Sequence, residues 1–130
     1  MNWLQRKMTR HTIMPIRVDV YFTTSKETFA DVRATLKGEP RASLDGLGGI
    51  VETLANNDSH ATLILCGVFE HDLGCFAHEM AHVVFHAMDI VGQNGDYGQA
   101  AQQENFCYHL DNLVDVLHPV FTKAFKGAKK

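Results

Sequence analysis

Residues 61–92 read ATLILCGVFEHDLGCFAHEMAHVVFHAMDIVG, and this stretch decides the fold. Residues 61–69 form the most apolar strand candidate in the chain, typical of a strand that is central in a sheet or covered by helices. Asp72 is a favourable N-cap residue, and apolar residues follow it at helical spacing as far as Gly92, a residue that commonly ends helices. The stretch predicts a buried strand followed by a buried helix.

The flanking segments add elements of the same two kinds. Residues 16–23 alternate apolar and polar positions, which predicts a half-buried strand, and Ser25 marks the entry of a helix. Residues 50–54 predict another strand, and the last helix is expected over about residues 99–117, stopped by Pro119. The predicted fold class is α+β, with a small, mainly antiparallel sheet packed on two core helices.

The length of the chain allows a single domain. It has 130 residues, of which 45% are apolar and 21% are charged, so its composition is that of a globular protein with a real core. We expect a basic N-terminal extension over residues 1–14, one domain over residues 15–119 and a basic C-terminal tail over residues 120–130.

Apolar runs and cysteines indicate the compartment. No apolar run approaches the roughly 18 residues of a membrane span, and the basic N-terminus is not followed by the apolar segment of a signal peptide. The three cysteines include no C-x-x-C pair and are odd in number, which fits a reducing compartment; they are Cys66, Cys75 and Cys107. The expected location is the cytoplasm, with no membrane contact.

The net charge of −3 conceals a segregation of charge along the chain. All 15 acidic residues lie between Asp19 and Asp115, whereas seven of the 12 Lys and Arg residues lie in the first 11 or the last eight positions. An acidic body repels a polyanion, so nucleic acid is not expected as a partner, although the basic ends could still contact an anionic surface.

Residues 78–82 read HEMAH and match the H-E-x-x-H pattern. On a helix, His78 and His82 lie one turn apart, about 6 Å along the axis, and can bind one metal ion together. The composition gives a chance expectation of roughly 0.02 such patterns per chain, so a chance pair of packed histidines is the weaker interpretation. The expected cofactor is Zn²⁺.

A catalytic zinc ion takes three protein ligands and keeps one position open for water. Glu104 is the best candidate for the third ligand, because it begins the polar face of the last helix, 22 residues after His82. His86 lies about 12 Å along the axis from His78, too far to share the ion. We therefore expect it either to contact the ligand residues without binding the ion or to belong to the core. The weaker candidates are His109, Asp96 and Asp111.

Residues 76–119 resemble the gluzincin-type zinc metallopeptidases, especially the compact phage and bacterial domains related to the ImmA/IrrE group. The resemblance rests on the run H-E-x-x-H-x-x-x-H and on the downstream glutamate followed by aromatic and apolar helix residues, and it covers about a third of the chain. It implies a zincin-like fold, zinc ligands at His78, His82 and Glu104, and Glu79 as the general base. A phage origin would place the protein in the host cytoplasm.

One position departs from the pattern of the family. The larger gluzincins often have an Asp four residues after the ligand glutamate, where this chain has Tyr108. Asp111, on the same helix face, is then the possible partner that orients a zinc-bound histidine. Tyr108 or His109 is the expected donor to the oxyanion of the reaction.

The expected reaction is hydrolysis of a peptide bond in a peptide or protein substrate. A water molecule activated by the metal loses its proton to Glu79 and attacks the carbonyl carbon. The substrate could add as a strand to an exposed sheet edge, at residues 50–54 or at residues 61–69. The sequence leaves open which of these strands lies at the edge.

Two alternatives do not involve catalysis. In the first, zinc is structural, and the thiolates of Cys75 and Cys107 complete its coordination. In the second, an inactive zincin fold docks a protein or nucleic-acid partner, and the basic ends steer the encounter. Glu79→Gln distinguishes the enzyme from both, because a general base is needed only for cleavage.

Overall fold

The computed structural model describes residues 2–55, 62–92 and 100–126. Four helices and four strands lie within these ranges, which confirms the predicted α+β class. In chain order they are α1 (Asn2–Lys7), β1 (Thr9–Ile13), β2 (Val18–Thr23), α2 (Lys26–Lys37), β3 (Gly49–Ala55), β4 (Thr62–Val68), α3 (Leu73–Ile90) and α4 (Ala100–Lys126). No helix in these ranges is both long enough and apolar enough to cross a membrane.

The four strands form one mixed sheet in the order β1-β2-β4-β3. β1 pairs with β2 and β3 pairs with β4 in antiparallel fashion, whereas the central pair β2 and β4 is parallel. The expectation of a mainly antiparallel sheet holds for the two outer pairs only. β4 is buried from Leu63 to Val68, as its apolar sequence predicted, because it is an inner strand with helices on both faces.

The sheet separates two apolar cores. On one face, α1 and α2 cover side chains of β2 and β4, including Tyr21 and Leu65. On the other face, the larger core joins α3 and α4 to Phe22, Cys66 and neighbouring strand residues. The alternation of side chains along β2 explains this division, since Tyr21 and Phe22 point to opposite faces of the sheet.

The predicted helix entries agree with the structure. Ser25 caps α2, and its hydroxyl accepts a hydrogen bond from the Thr28 N–H at 3.2 Å. Asp72 caps α3 in the same way, accepting from the Gly74 N–H at 3.0 Å. Each side chain satisfies one of the backbone donors that a helix leaves unpaired in its first turn.

Pro119 does not end the last helix, contrary to the sequence prediction. α4 continues through it to Lys126. A proline in a helix removes one backbone hydrogen bond, but Leu117 and Phe121 on either side are buried in the larger core and hold the following turns in place. Tertiary packing therefore outweighs the local signal. The predicted start at Gln99 lies outside the described residues.

The predicted N-terminal extension belongs to the fold. Residues 2–13 form α1 and β1, and Leu4, Met8 and Ile13 have at most 3% of their surface exposed. The same holds for the start of the predicted C-terminal tail, where Phe121 is buried. In both basic ends, apolar side chains are buried by the sheet and by α4. The domain therefore extends beyond residues 15–119 in each direction.

Candidate metal centre

The two histidines of the HEMAH motif lie together near the exposed surface of α3. Their Nε2 atoms are 3.2 Å apart, and the ring centroids are 4.7 Å apart at an interplanar angle of 74°. Two nitrogen ligands at 2.0–2.1 Å from a tetrahedral zinc ion would be separated by about 3.3 Å. The pair is thus spaced to share one ion, and in its absence the same spacing suits an N–H···N hydrogen bond between neutral imidazoles.

The Glu79 side chain is directed into the protein, away from the exposed face of α3 that carries the two histidines. Only 8% of its surface is exposed, and its side chain lies against Gly49 at the start of β3. A Cβ atom built on Gly49 would come within 2.7 Å of both Cγ and Oε2 of Glu79. The first residue of β3 must therefore lack a side chain for the carboxylate to occupy this position.

Two cysteine thiols, those of Cys66 and Cys75, lie close to Glu79. Burial raises the pKa of Cys66 well above its ordinary value of 9.0, and the negative charge of Glu79 raises it further. Burial also raises the pKa of Cys75, with Glu79 as the first of the charges that add to it. Cys75 donates a hydrogen bond to the Gly48 carbonyl at 3.3 Å. Both thiols are therefore protonated near neutral pH, and Cys75 faces β3.

The packing of α3 on α4 fixes where Glu104 lies. Phe76 stacks on Phe121 with centroids 4.8 Å apart, and Phe85 contacts Phe106 at 4.9 Å, so the two helices are antiparallel. Glu104, two residues before Phe106, is level with the C-terminal half of α3. At 1.5 Å per residue this is about 8 Å along the axis beyond His82.

The structure does not bring Glu104 to the histidine pair. Within residues 2–55, 62–92 and 100–126, no three His, Cys, Asp or Glu side chains are grouped to hold a metal ion. The Glu104 side chain is exposed. Two ligands of the predicted set are therefore close together, and the third is on the neighbouring helix.

The other predicted residues are divided between the surface and the core. Tyr108 is 68% exposed on α4, and Asp111 is exposed as well. His86 is half-buried one turn after His82. His109 is buried, and burial lowers its pKa. Asp96, a weaker ligand candidate, lies outside the described residues.

β3 is the strand that the site faces, and it lies at the edge of the sheet. β4 is internal, so of the two strands proposed for substrate docking only β3 has a free edge. The α3-facing residues of β3 begin with Gly49, beside Glu79. Within the described part of the chain, Glu79 and the edge strand β3 thus lie next to each other.

Sequence reasoning missed the contribution of Gly49. Glycine at positions 46, 48 and 49 loosens the backbone before the strand. A glycine as the first residue of a strand also signals the close approach of another group, and here that group is the Glu79 carboxylate.

The chain matches no protein-family model, no curated protein and no solved structure. The geometry of the site and the chemistry of its residues are therefore the basis for assigning a function.

Proposed function

We propose that this protein is a zinc-dependent metallopeptidase with a zincin-like site formed by His78, Glu79 and His82. The observation that supports this best is the 3.2 Å separation of the two Nε2 atoms, which suits a shared ion. The carboxylate between them in sequence is held in one place by burial against Gly49, as a general base must be.

The histidine pair fits two of the positions that a catalytic zinc ion requires, and imidazole is a ligand that zinc prefers. Glu104 is the proposed third ligand. Because it lies about 8 Å along the helix axis from the level of His82, ligation requires the first turns of α4 to shift toward the N-terminal half of α3. A bound zinc ion supplies Lewis-acid activation of water and polarisation of the substrate carbonyl.

Glu79 has two tasks in the proposed reaction. Its carboxylate accepts a proton from the attacking water and then gives that proton to the amine that leaves. The buried setting excludes bulk water on the side of Gly49 and restricts the movement of the carboxylate. Tyr108 is the proposed donor to the oxyanion, and Asp111 the proposed partner of a ligand histidine.

The proposed substrate is an extended peptide segment. The free edge of β3 presents backbone N–H and C=O groups that could pair with such a segment, and the carbonyl to be cleaved would then lie near Glu79. Pairing of this kind recognises the backbone of the substrate rather than its side chains. It therefore selects for an extended conformation more than for a particular sequence.

Metal analysis combined with peptide cleavage tests the proposal. We expect one zinc ion per chain and hydrolysis of a mixed peptide library by the native protein. Glu79→Gln should retain the zinc ion and lose cleavage by at least a factor of about 10². His82→Ala should lose both, whereas His71→Gln, which removes an exposed histidine outside the motif, should change neither.

The alternative is a zincin-like protein without catalysis, in which zinc is structural and the surface docks a protein or nucleic-acid partner. A structural zinc ion takes four protein ligands, and this alternative assigns the thiolates of Cys75 and Cys107 to two of those positions. The Cys75 thiol, however, is engaged with the Gly48 carbonyl. Zinc that is bound with no cleavage by the native protein would support the alternative and overturn the peptidase.

A further inference from the structure

The fold brings the two basic ends of the chain together around one pocket. Its wall comes from the end of α1, the start of β1, the end of β2 and the last turns of α4. The pocket has a volume of about 330 Å³, at the small end of the range for ligand sites. Its polar lining includes Arg6, Lys7, Arg10, Thr9, Thr23 and Thr24.

The charge in this pocket is of one sign. No acidic residue lines it. In the described part of the chain, salt bridges to carboxylates are made by Arg33, Lys37 and Arg41, and none by Arg6 or Lys7. Lys123, on α4, directly precedes the lining residue Ala124 and adds positive charge nearby. The cations are thus available to an anion from outside the chain.

Part of this lining is held in place by the core. Arg10 is the partner of Tyr21 in the β1/β2 register, so the two side chains lie on the same face of the sheet, and Tyr21 is 4% exposed. Met8 and Phe22, which also line the pocket, are buried. A wall that is fixed before binding loses little conformational entropy when the ligand arrives.

The chemistry of the lining matches a phosphate group. Guanidinium and ammonium groups form charge-assisted hydrogen bonds with phosphate oxygens, and threonine hydroxyls add neutral donors. A long polyanion fits less well, because every acidic residue of the chain lies between Asp19 and Asp115 and would repel the parts outside the pocket. The small volume likewise favours a compact ligand.

We propose that this pocket binds the phosphate or pyrophosphate group of a small molecule. The site is separate from the histidine pair and does not depend on the peptidase proposal. Its cations come from the N-terminal end of the chain, and α4 closes the pocket with Val120 and Ala124.

Calorimetric titration with pyrophosphate and with inorganic phosphate, at constant ionic strength, tests the proposal. The full chain is first freed of divalent metals, and His82→Ala is titrated in parallel, so that a ligand bound through metal at the histidine pair is recognised. We expect saturable binding at one site with roughly millimolar affinity or better, equal in both proteins. Arg6→Gln/Lys7→Gln should weaken it at least about tenfold, since two charge-assisted contacts are lost.

Arg41→Gln is the matched control. It removes an exposed cation far from the pocket in sequence and should change the affinity by less than about twofold. Equal losses in Arg41→Gln and in the double variant would show a general charge effect and overturn the site, as would the absence of saturable binding. A single-stranded oligonucleotide and vesicles with anionic lipid serve as the other arms. If either binds through Arg6 and Lys7 while pyrophosphate does not, the small-molecule assignment is wrong.

Discussion

Gly49→Ala is the substitution that probes the candidate site most directly. The added Cβ would lie 2.7 Å from Cγ and Oε2 of Glu79 and 3.0 Å from Cδ, whereas ordinary contact begins near 3.4 Å. Relief of this overlap requires a displacement of about 0.7 Å, either of the Glu79 side chain or of the first residue of β3. Cγ is close to the helix backbone and cannot swing away as freely as the carboxylate oxygens.

The expected loss is larger for catalysis than for stability. A misplacement of roughly 1 Å in a reacting group can cost about 10² in rate, so kcat/KM for a peptide should fall by up to that factor while the zinc content is unchanged. Overpacking costs about 1–3 kcal/mol, and replacement of a strand glycine returns about 0.5–1 kcal/mol. The net destabilisation should be about 0–2.5 kcal/mol, measured by urea unfolding.

Gly74→Ala is the matched control, because a Cβ there meets only Asp72 Oδ1, at an ordinary 3.5 Å. It should leave cleavage and zinc content unchanged. A double-mutant cycle then isolates the contact: Gly49→Ala should destabilise the protein less in a Glu79→Ala background, where the overlapping atoms are gone. An identical cost in both backgrounds would refute the argument that Gly49 makes room for this carboxylate.

Three further predictions concern the fold. Pro119→Ala should stabilise the protein by about 1–3 kcal/mol in urea unfolding, because an interior proline removes a helical hydrogen bond; a loss of stability would show that the ring makes a needed contact. Ser25→Ala should cost about 1 kcal/mol in the same assay through the lost cap on α2, and no change would mean that water replaces it. Burial lowers the pKa of His109, so the unfolded state binds a proton more readily and stability should fall as the pH drops below the ordinary value of about 6.5. His109→Gln should flatten unfolding free energy against pH in this range, and an unchanged slope would assign the effect to other groups.

Local patterns predicted the individual elements well. Alternation identified β2, the apolar run identified β4, and helical spacing with Asp72 in front identified α3. These features follow from short-range chemistry, since side-chain period and capping depend on residues within about one turn or two strand positions. The closeness of His78 and His82 belongs to the same class, because residues four apart on a helix share a face.

Local signals failed where distant segments compete. Pro119 is a helix breaker by itself, yet the burial of Leu117 and Phe121 continues α4 beyond it. The N-terminal basic segment resembled a solvated extension, yet Leu4 and Ile13 anchor it in the two cores. In both cases the free energy gained by burying apolar side chains is larger than the cost of acting against the local preference.

The sequence by itself determined which residues could bind a metal ion, because the HEMAH spacing and the helix around it are local properties. Only the tertiary structure decided what these residues meet. It placed β3 at the edge of the sheet, Glu79 over Gly49, and Glu104 level with the far half of α3. It also packed the last turns of α4 beside the basic N-terminal segment, around one pocket. Such pairings depend on how apolar faces pack together, and no short window of sequence contains both partners.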